Sequence, residues 1–217
     1  HTPLLKLRGL TRIIFSYQLP QYTALFLNTD RPFLRNRNVR LALQKAVNKE
    51  ELLKLLPGRT SFDTPLLELN QEDWVYKPDK EQGKGALFDA GWKLTEENGK
   101  KIRRNKKGEI STLRMIAPEF SKNPHKLNEI ETVVPFLQKS FSEIGIEVNI
   151  SVLPFDSFSQ AVQSRDYDLL LAGQSLGYNF DTYNFWHSSQ VSSEGLNLSN
   201  YQSFAADALI EEIRRTF

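Results

Sequence analysis

The apolar residues change their spacing near residue 28, and this change predicts a strand followed by a helix. Residues 22–27 are aromatic and aliphatic, as is typical of a buried strand. Pro32 interrupts the extended chain, and after it the apolar residues recur with a helical period. These residues are Val39, Ala42, Leu43, Ala46 and Val47. We predict a strand, a tight turn and an amphipathic helix that Asn36 or Asn38 caps at its start.

Strands and helices alternate along the rest of the chain. Asn48 is expected to cap a short second helix, which Pro57 and Gly58 end. Further helices are predicted at residues 79–90, 127–144, 155–163 and 207–215, and further strands at 11–17, 112–117, 147–152 and 167–173. Because residues 167–173 are mostly apolar, we expect that strand to be central and parallel. The order of elements predicts a single α/β domain over residues 1–217, with a layered mixed sheet flanked by helices.

Glycine and proline lie inside two of the predicted helices. Gly83 and Gly85 each cost about 1 kcal/mol relative to alanine, so the helix over residues 79–90 is expected to begin late or to bend. Pro135 removes one backbone hydrogen bond. We expect its helix to be kinked or broken there.

A basic segment lies between two turn dipeptides, Asn98-Gly99 and Lys107-Gly108. Its cations are Lys100, Lys101, Arg103, Arg104, Lys106 and Lys107. A surface that binds nucleic acid would interleave aromatic residues that stack on bases, and this segment has none. We therefore predict a solvated β-hairpin and no nucleic-acid partner.

The composition narrows the possible chemistry. The net charge of +2 indicates no preference for nucleic acid or anionic membranes. The absence of cysteine excludes disulfides, thiolate catalysis and cysteine-ligated metals. The three histidines, His1, His125 and His187, are far apart, and none has a partner at metal-ligand spacing. Since the chain also lacks a nucleophile elbow and a phosphate-binding glycine loop, we predict no enzymatic activity, no cofactor and no metal site.

A polar and aromatic segment follows the predicted central strand. In open α/β sheets, ligands bind just outside the carboxyl ends of the strands. The candidate ligand-binding residues here are Gln174, Ser175, Leu176, Gly177, Tyr178, Asn179, Phe180 and Asp181. The aromatic residues that follow, at positions 183–187, either extend this cleft or only pack the edge of the domain.

Several stretches together resemble one protein family. Residues 28–33 and 38–48 resemble the start of the second lobe of the family 5 extracellular solute-binding proteins. Residues 86–92 are similar to an alanine- and leucine-rich segment of the family that ends in Ala-Gly-Trp. Gly145-Ile146-Glu147-Val148, Phe155, Phe158 and residues 167–173 match a later motif, and residues 197–201 and 207–210 match the last one. The resemblance extends from about residue 22 to residue 215.

The resemblance implies a fold, a function and a set of partners. Family members are oligopeptide, dipeptide and nickel receptors of ABC importers, with two lobes that close on the ligand as a hinged clamp. This chain would be lobe II of a type II periplasmic-binding-protein-like fold. Lobe I, the export signal and any anchor would lie outside it, on a monomer at the extracellular face of the membrane or in the periplasm. The implied partners are a peptide or small-molecule ligand, an ABC transporter permease and the protein's own lobe I.

Two other functions stay open. The lobe could be the ligand-sensing module of a regulatory protein, which a DNA-binding domain elsewhere in the full chain would reveal. It could also belong to a scaffold or receptor that has lost transport function.

The resemblance also bears on the site residues. Where the family reads Gly-Trp followed by Asp-Tyr, Gly173 and Tyr178 match, while Gln174 replaces the tryptophan and Gly177 replaces the aspartate. In oligopeptide binders that aspartate pairs with the ligand's α-ammonium group. The usual mode of peptide binding is therefore not expected, and Asp181 supplies a carboxylate only from a shifted position. Some peptide binders place a histidine near His125; the alternative for His125 is an exposed side chain beside Pro124.

Overall fold

The structure, a computed structural model, describes residues 20–65, 76–176 and 181–216. Its strands are β1 (Gln21–Leu27), β2 (Lys93–Glu97), β3 (Lys100–Arg104), β4 (Thr112–Pro118), β5 (Glu147–Leu153) and β6 (Leu169–Ser175). Its α-helices are α1 (Pro32–Arg35), α2 (Arg37–Ala46), α3 (Lys49–Leu55), α4 (Lys80–Asp89), α5 (Pro124–Ser142), α6 (Phe155–Gln163), α7 (Tyr183–Trp186) and α8 (Phe204–Thr216). A 3₁₀ helix covers Ser188–Val191. The strand predicted at residues 11–17 lies outside the described residues.

A mixed four-stranded sheet with the strand order β1-β6-β4-β5 forms the centre of the fold. β4 is parallel to both β5 and β6, whereas β1 is antiparallel to β6. The predicted α/β class with a mixed sheet flanked by helices is confirmed. The prediction that the last strand is central is also confirmed, and β6 is parallel to β4 on one side only.

The sheet buries a different set of residues on each face. Leu113, Met115 and Leu171 face the larger core, which α2, α4 and α5 cover. Ile116 and Leu170 face a smaller core, against which α6 packs. This division follows from the strand period, because successive side chains point to opposite faces of a sheet.

Side-chain caps fix the starts of α2 and α3. The Asn36 carboxamide oxygen accepts a hydrogen bond from the Asn38 amide at 2.9 Å, so Asn36 caps α2. Asn48 caps α3 by accepting from the amides of Glu50 and Glu51. Both caps agree with the predictions, because asparagine satisfies amide groups that have no partner within the helix.

The structure contradicts the late start predicted for α4 and the break predicted for α5. α4 begins at Lys80, directly after its Asp79 cap, so the predicted late start is wrong. A Cβ at Gly83 would lie 3.2 Å from the Ala42 carbonyl oxygen, which shows that the glycine lets α4 approach α2 closely. α5 runs unbroken through Pro135, and the predicted break is wrong because buried residues on both sides of the proline hold the helix against the core.

The predicted hairpin forms between β2 and β3, with Asn98 and Gly99 at positive φ in its turn. Its description as fully solvated is wrong for Arg103, which is only 2% exposed. The Arg103 guanidinium donates to the carbonyl oxygens of Ile144 at 2.6 Å and Trp92 at 2.8 Å. Burial lowers the pKa of Arg103, and these carbonyl partners explain how the cation is accommodated inside the protein.

Candidate functional site

The carboxyl ends of β4, β5 and β6 meet at one side of the sheet, which we call the carboxyl edge. β6 pairs with β4 only through Leu169 and Leu170, but it pairs with β1 along its whole length. The end of β6 and the start of β1 therefore form a two-stranded ribbon at this edge. The predicted ligand-binding segment begins on this ribbon.

Successive side chains of the ribbon point alternately into the protein and towards solvent. Gln174 is only 8% exposed; it accepts a hydrogen bond from the Tyr22 hydroxyl at 2.5 Å and donates to the Leu196 carbonyl oxygen at 3.4 Å. Burial raises the pKa of Tyr22 to about 12. Ser175 is exposed, and Leu176 is buried with its amide bonded to the Pro20 carbonyl oxygen at 2.8 Å.

The predicted ligand-binding residues thus have different positions. Gln174 and Leu176 face inward, and Ser175 faces solvent at the carboxyl edge. Gly177, Tyr178, Asn179 and Phe180 lie outside the described residues.

Asp181 is tied to α8. Its carboxylate lies 3.3 Å from the Arg214 guanidinium and accepts a hydrogen bond from the Tyr183 amide at 3.0 Å. The Arg214 guanidinium also lies over the Tyr183 ring, 4.3 Å from its centroid. Tyr183 is also stacked on His187 at 4.2 Å, and Trp186 lies edge-on to Tyr201 at 6.4 Å. The aromatic residues that follow the predicted loop therefore contribute to packing between α7 and α8.

His125 lies in the first turn of α5, directly after Pro124, and is exposed. It lines an open depression of about 480 Å³. The other lining residues are Leu56, Pro57, Gly58, Arg59, Asn128 and Glu129. Since α5 follows β4, this depression and the β1–β6 ribbon lie at the same edge of the sheet.

A polar cluster that the sequence did not predict joins the depression to the ribbon. Glu129, whose side chain is 18% exposed, accepts hydrogen bonds from the Thr23 hydroxyl at 3.0 Å and the Arg59 guanidinium at 2.8 Å. The sequence carried a partial signal, because Glu129 is four residues after His125 and therefore on the same helix face. Arg59 directly follows the predicted end of a helix at Pro57 and Gly58, and Thr23 was predicted only as part of a strand.

Among the described residues, no group of three or more histidine, cysteine, aspartate or glutamate side chains could hold a metal ion. No helix in the described ranges is long and apolar enough to cross a membrane.

Comparison with known proteins decides the family. Residues 3–195 match the model for bacterial extracellular solute-binding proteins, family 5, middle region. The chain belongs to this family. The resemblance drawn from the sequence motifs is confirmed, and members of family 5 are solute-binding proteins rather than enzymes.

Relatives of known name agree with the family 5 assignment. The oligopeptide-binding protein AppA of Bacillus subtilis is 24% identical over 89% of this chain, and the peptide transport periplasmic protein SapA of Salmonella typhimurium is 29% identical over 71%. The matched regions are 36% of AppA and 26% of SapA. This family 5 chain therefore spans about a third of the length of its relatives.

Solved structures agree on the fold of this family 5 chain. AppA in complex with a nonapeptide superposes with a TM-score of 0.76 at 24% identity, over 89% of this chain and 38% of AppA. NikZ from Campylobacter jejuni in complex with Ni(L-His) superposes with a TM-score of 0.75 at 26% identity, over 91% of this chain and 39% of NikZ.

Proposed function

We propose that this chain is the ligand-binding lobe II of the extracellular solute-binding component of an ABC importer, and that it takes a peptide or a related small solute without enzymatic chemistry. The observation that carries the proposal is the convergence at the carboxyl edge of Ser175, His125 and the Thr23–Glu129–Arg59 cluster. Membership of family 5 and the peptide-binding names of AppA and SapA support it.

The geometry of the carboxyl edge suits binding by preformed contacts. Thr23 and Gly173 are partners in the ladder between β1 and β6, and both are exposed. A ligand can therefore approach the backbone of the ribbon closely at Gly173. Beside it, the Glu129 side chain is held by hydrogen bonds from two other elements, so little side-chain entropy is lost when a ligand arrives.

The partners proposed for the whole protein follow from this role. The cleft would be completed by lobe I, and the loaded protein, a monomer, would deliver its ligand to an ABC transporter permease. Its place is the extracellular face of the membrane or the periplasm. One lobe supplies only part of the contacts to a ligand held between two lobes, so this chain by itself would bind weakly.

A thermal-shift screen of the full-length protein tests the proposal, with libraries of peptides, sugars and metal chelates. A ligand at about 100 times its Kd stabilises the native state by about 2.7 kcal/mol, which raises the melting temperature. We expect hits among the peptides. We also expect Ser175→Ala and His125→Ala to weaken the shift, while Lys107→Ala, in the exposed turn after β3, leaves it unchanged.

Other results of the screen would favour other functions. Stabilisation only by sugars or chelates would support the solute-binding role but contradict a peptide as the ligand. No stabilisation by any library would contradict the proposal and favour the regulatory or scaffold function.

A further inference from the structure

The hairpin of β2 and β3, together with the turn that follows it, concentrates positive charge. Residues 93–108 contain seven lysines and arginines and two glutamates, which gives this segment a net charge of +5. Because the whole chain carries +2, the rest of the chain carries −3. The total charge, from which no preference for anionic membranes was predicted, therefore conceals one strongly basic segment.

The two arginines of this segment are used within the protein. The buried Arg103 guanidinium donates to the carbonyl oxygens of Ile144, just after α5, and of Trp92. Arg104 donates two hydrogen bonds to the Glu97 carboxylate, at 2.7 and 2.8 Å. These contacts hold the hairpin in a fixed position against the body of the lobe.

The lysines of the segment, by contrast, are exposed to solvent. Lys100 and Lys101 follow the Asn98-Gly99 turn, and Lys106 and Lys107 lie in the turn after β3. The two pairs of lysines are at opposite ends of β3, a strand about 17 Å long. A lysine ammonium is a point charge on a flexible stem and lacks the fork that binds one anion in a fixed geometry. This arrangement suits an extended negative surface better than a single anionic group in a pocket.

An anionic membrane is an extended negative surface, and it attracts lysine side chains that come close to it. A single-stranded nucleic acid would require aromatic side chains that stack on its bases, and residues 98–108 contain none. β3 leads into β4 at the end of the sheet opposite the carboxyl edge. Contact between the hairpin and a membrane therefore leaves the proposed ligand site open.

We propose that the basic hairpin binds the anionic headgroups of a lipid membrane through Lys100, Lys101, Lys106 and Lys107. This inference goes beyond the proposed function and does not depend on which ligand the lobe takes. A solute-binding protein that is attracted to a membrane surface is concentrated near the permeases that lie in the membrane.

Co-sedimentation of the full-length protein with lipid vesicles tests the inference, after any lipid anchor has been removed. One set of vesicles is pure phosphatidylcholine, which is zwitterionic, and the other contains equal amounts of phosphatidylcholine and the anionic lipid phosphatidylglycerol. We expect binding to the anionic vesicles alone. We expect this binding to be lost in about 1 M salt, where charges are screened beyond about 3 Å.

Glutamine variants of the lysines identify the binding surface. Each lysine near an anionic membrane contributes about fivefold to the partition coefficient, so Lys106→Gln combined with Lys107→Gln should lower it by about tenfold or more. The same changes at Lys100 and Lys101, added to this variant, should lower it by about tenfold again. Urea denaturation of both variants should show unchanged stability, because all four side chains are exposed.

Lys54→Gln combined with Lys122→Gln is the matched control, because it removes the same charge from exposed positions on α3 and in the turn before α5. It should change the partition coefficient by less than about twofold. Equal losses in the control and in the hairpin variants would overturn the inference, since only the total charge would then matter. Binding to both kinds of vesicle alike, or to neither, would also overturn it. Salt-sensitive binding to the permease in a zwitterionic membrane, without binding to anionic vesicles, would overturn it in favour of an acidic protein partner.

Discussion

The two ends of the sheet are built differently: polar side chains hold the fold at one end and are exposed to solvent at the other. At the end opposite the carboxyl edge, which we call the amino edge, Asn28 is 2% exposed and donates to the carbonyl oxygens of Tyr167 at 3.0 Å and Arg165 at 3.2 Å. At the carboxyl edge, Ser175, His125 and Arg59 are exposed. The polar side chains of the amino edge thus form hydrogen bonds within the protein.

Charged residues extend the network of the amino edge. Arg31 donates to the Tyr167 carbonyl oxygen at 3.0 Å and lies 3.2 Å from Asp166 and 3.4 Å from Asp168. Asp168 accepts from the Arg114 amide at 2.7 Å, and Arg114 also pairs with Asp166. Asn28 and Arg31 belong to residues 28–33, one of the stretches that resemble the family in the sequence. That stretch therefore serves the fold at the end of the sheet far from the proposed ligand.

The largest effect is expected from the residue at the centre of the amino edge. The Tyr167 side chain is fully buried, and Tyr167→Ala should lower the free energy of unfolding by about 3–5 kcal/mol through the cavity it leaves. Urea denaturation measures this loss. Tyr167→Phe is the control, because it removes only the hydroxyl that donates to the Leu198 carbonyl oxygen and should cost about 1 kcal/mol. A loss below about 1 kcal/mol in the alanine variant would show that the amino edge does not hold the fold.

The second-largest loss of stability is expected when a hydrogen-bonding side chain is removed at the same edge. Asn28→Ala removes the side-chain amide donor from each of two carbonyl oxygens, which keep Arg31 as a donor, and should lower the free energy of unfolding by about 2 kcal/mol. Asn149→Ala, at an exposed position of β5, should change it by less than about 0.5 kcal/mol. Equal losses in the free energy of unfolding for Asn28→Ala and Asn149→Ala would contradict the structural role of Asn28.

The charges of the amino edge predict a smaller, pH-dependent effect. The pKa of Asp166 is lowered, chiefly by its hydrogen bond with Arg114, and Arg31 adds to the shift. Since the folded-state pKa lies below the unfolded one, the stabilisation is complete above the unfolded value of about 3.9 and is lost as the pH falls through the folded value. Asp166→Asn should therefore lose less stability than the unmodified protein between about pH 5 and pH 3. Thermal unfolding at each pH measures the stability of both proteins. Equal losses of stability in the two proteins would contradict this account.

The smallest effect on stability is expected at the carboxyl edge. Ser175→Ala should change the free energy of unfolding by less than about 0.5 kcal/mol, because the exposed hydroxyl has no structural partner among the described residues. The same variant should weaken ligand binding in the thermal-shift screen. A large loss of stability without any loss of binding would reverse the roles assigned to the two edges.

The fold could be predicted well because its signals are local. The helical period of α2, the asparagine caps and the apolar run of β6 each reflect neighbouring residues, and each matches the structure. The errors arose where a distant partner decides the outcome. Gly83 fits because the Ala42 carbonyl approaches it, and Arg103 is buried because the Ile144 and Trp92 carbonyls accept its hydrogen bonds.

The site was less predictable for the same reason. The segment after β6 was proposed from the rule that ligands bind near the carboxyl ends of strands, whereas His125 was proposed only from the resemblance to the family. The pairing of Glu129 with Arg59, which is 70 positions away in the sequence, could not be located, because it depends on how α3 and α5 meet in space. The inward turn of Gln174 likewise depends on its contact with Tyr22 across the ladder.

Hydrogen exchange of the full-length protein with and without a ligand from the screen tests the central claim most directly. The account predicts slower exchange in the presence of ligand at the carboxyl edge, at amides near Ser175, Arg59 and His125. It predicts unchanged exchange at the amino edge, near Asn28 and Tyr167. Slower exchange at the amino edge with no change at the carboxyl edge would contradict the assignment of the ligand site.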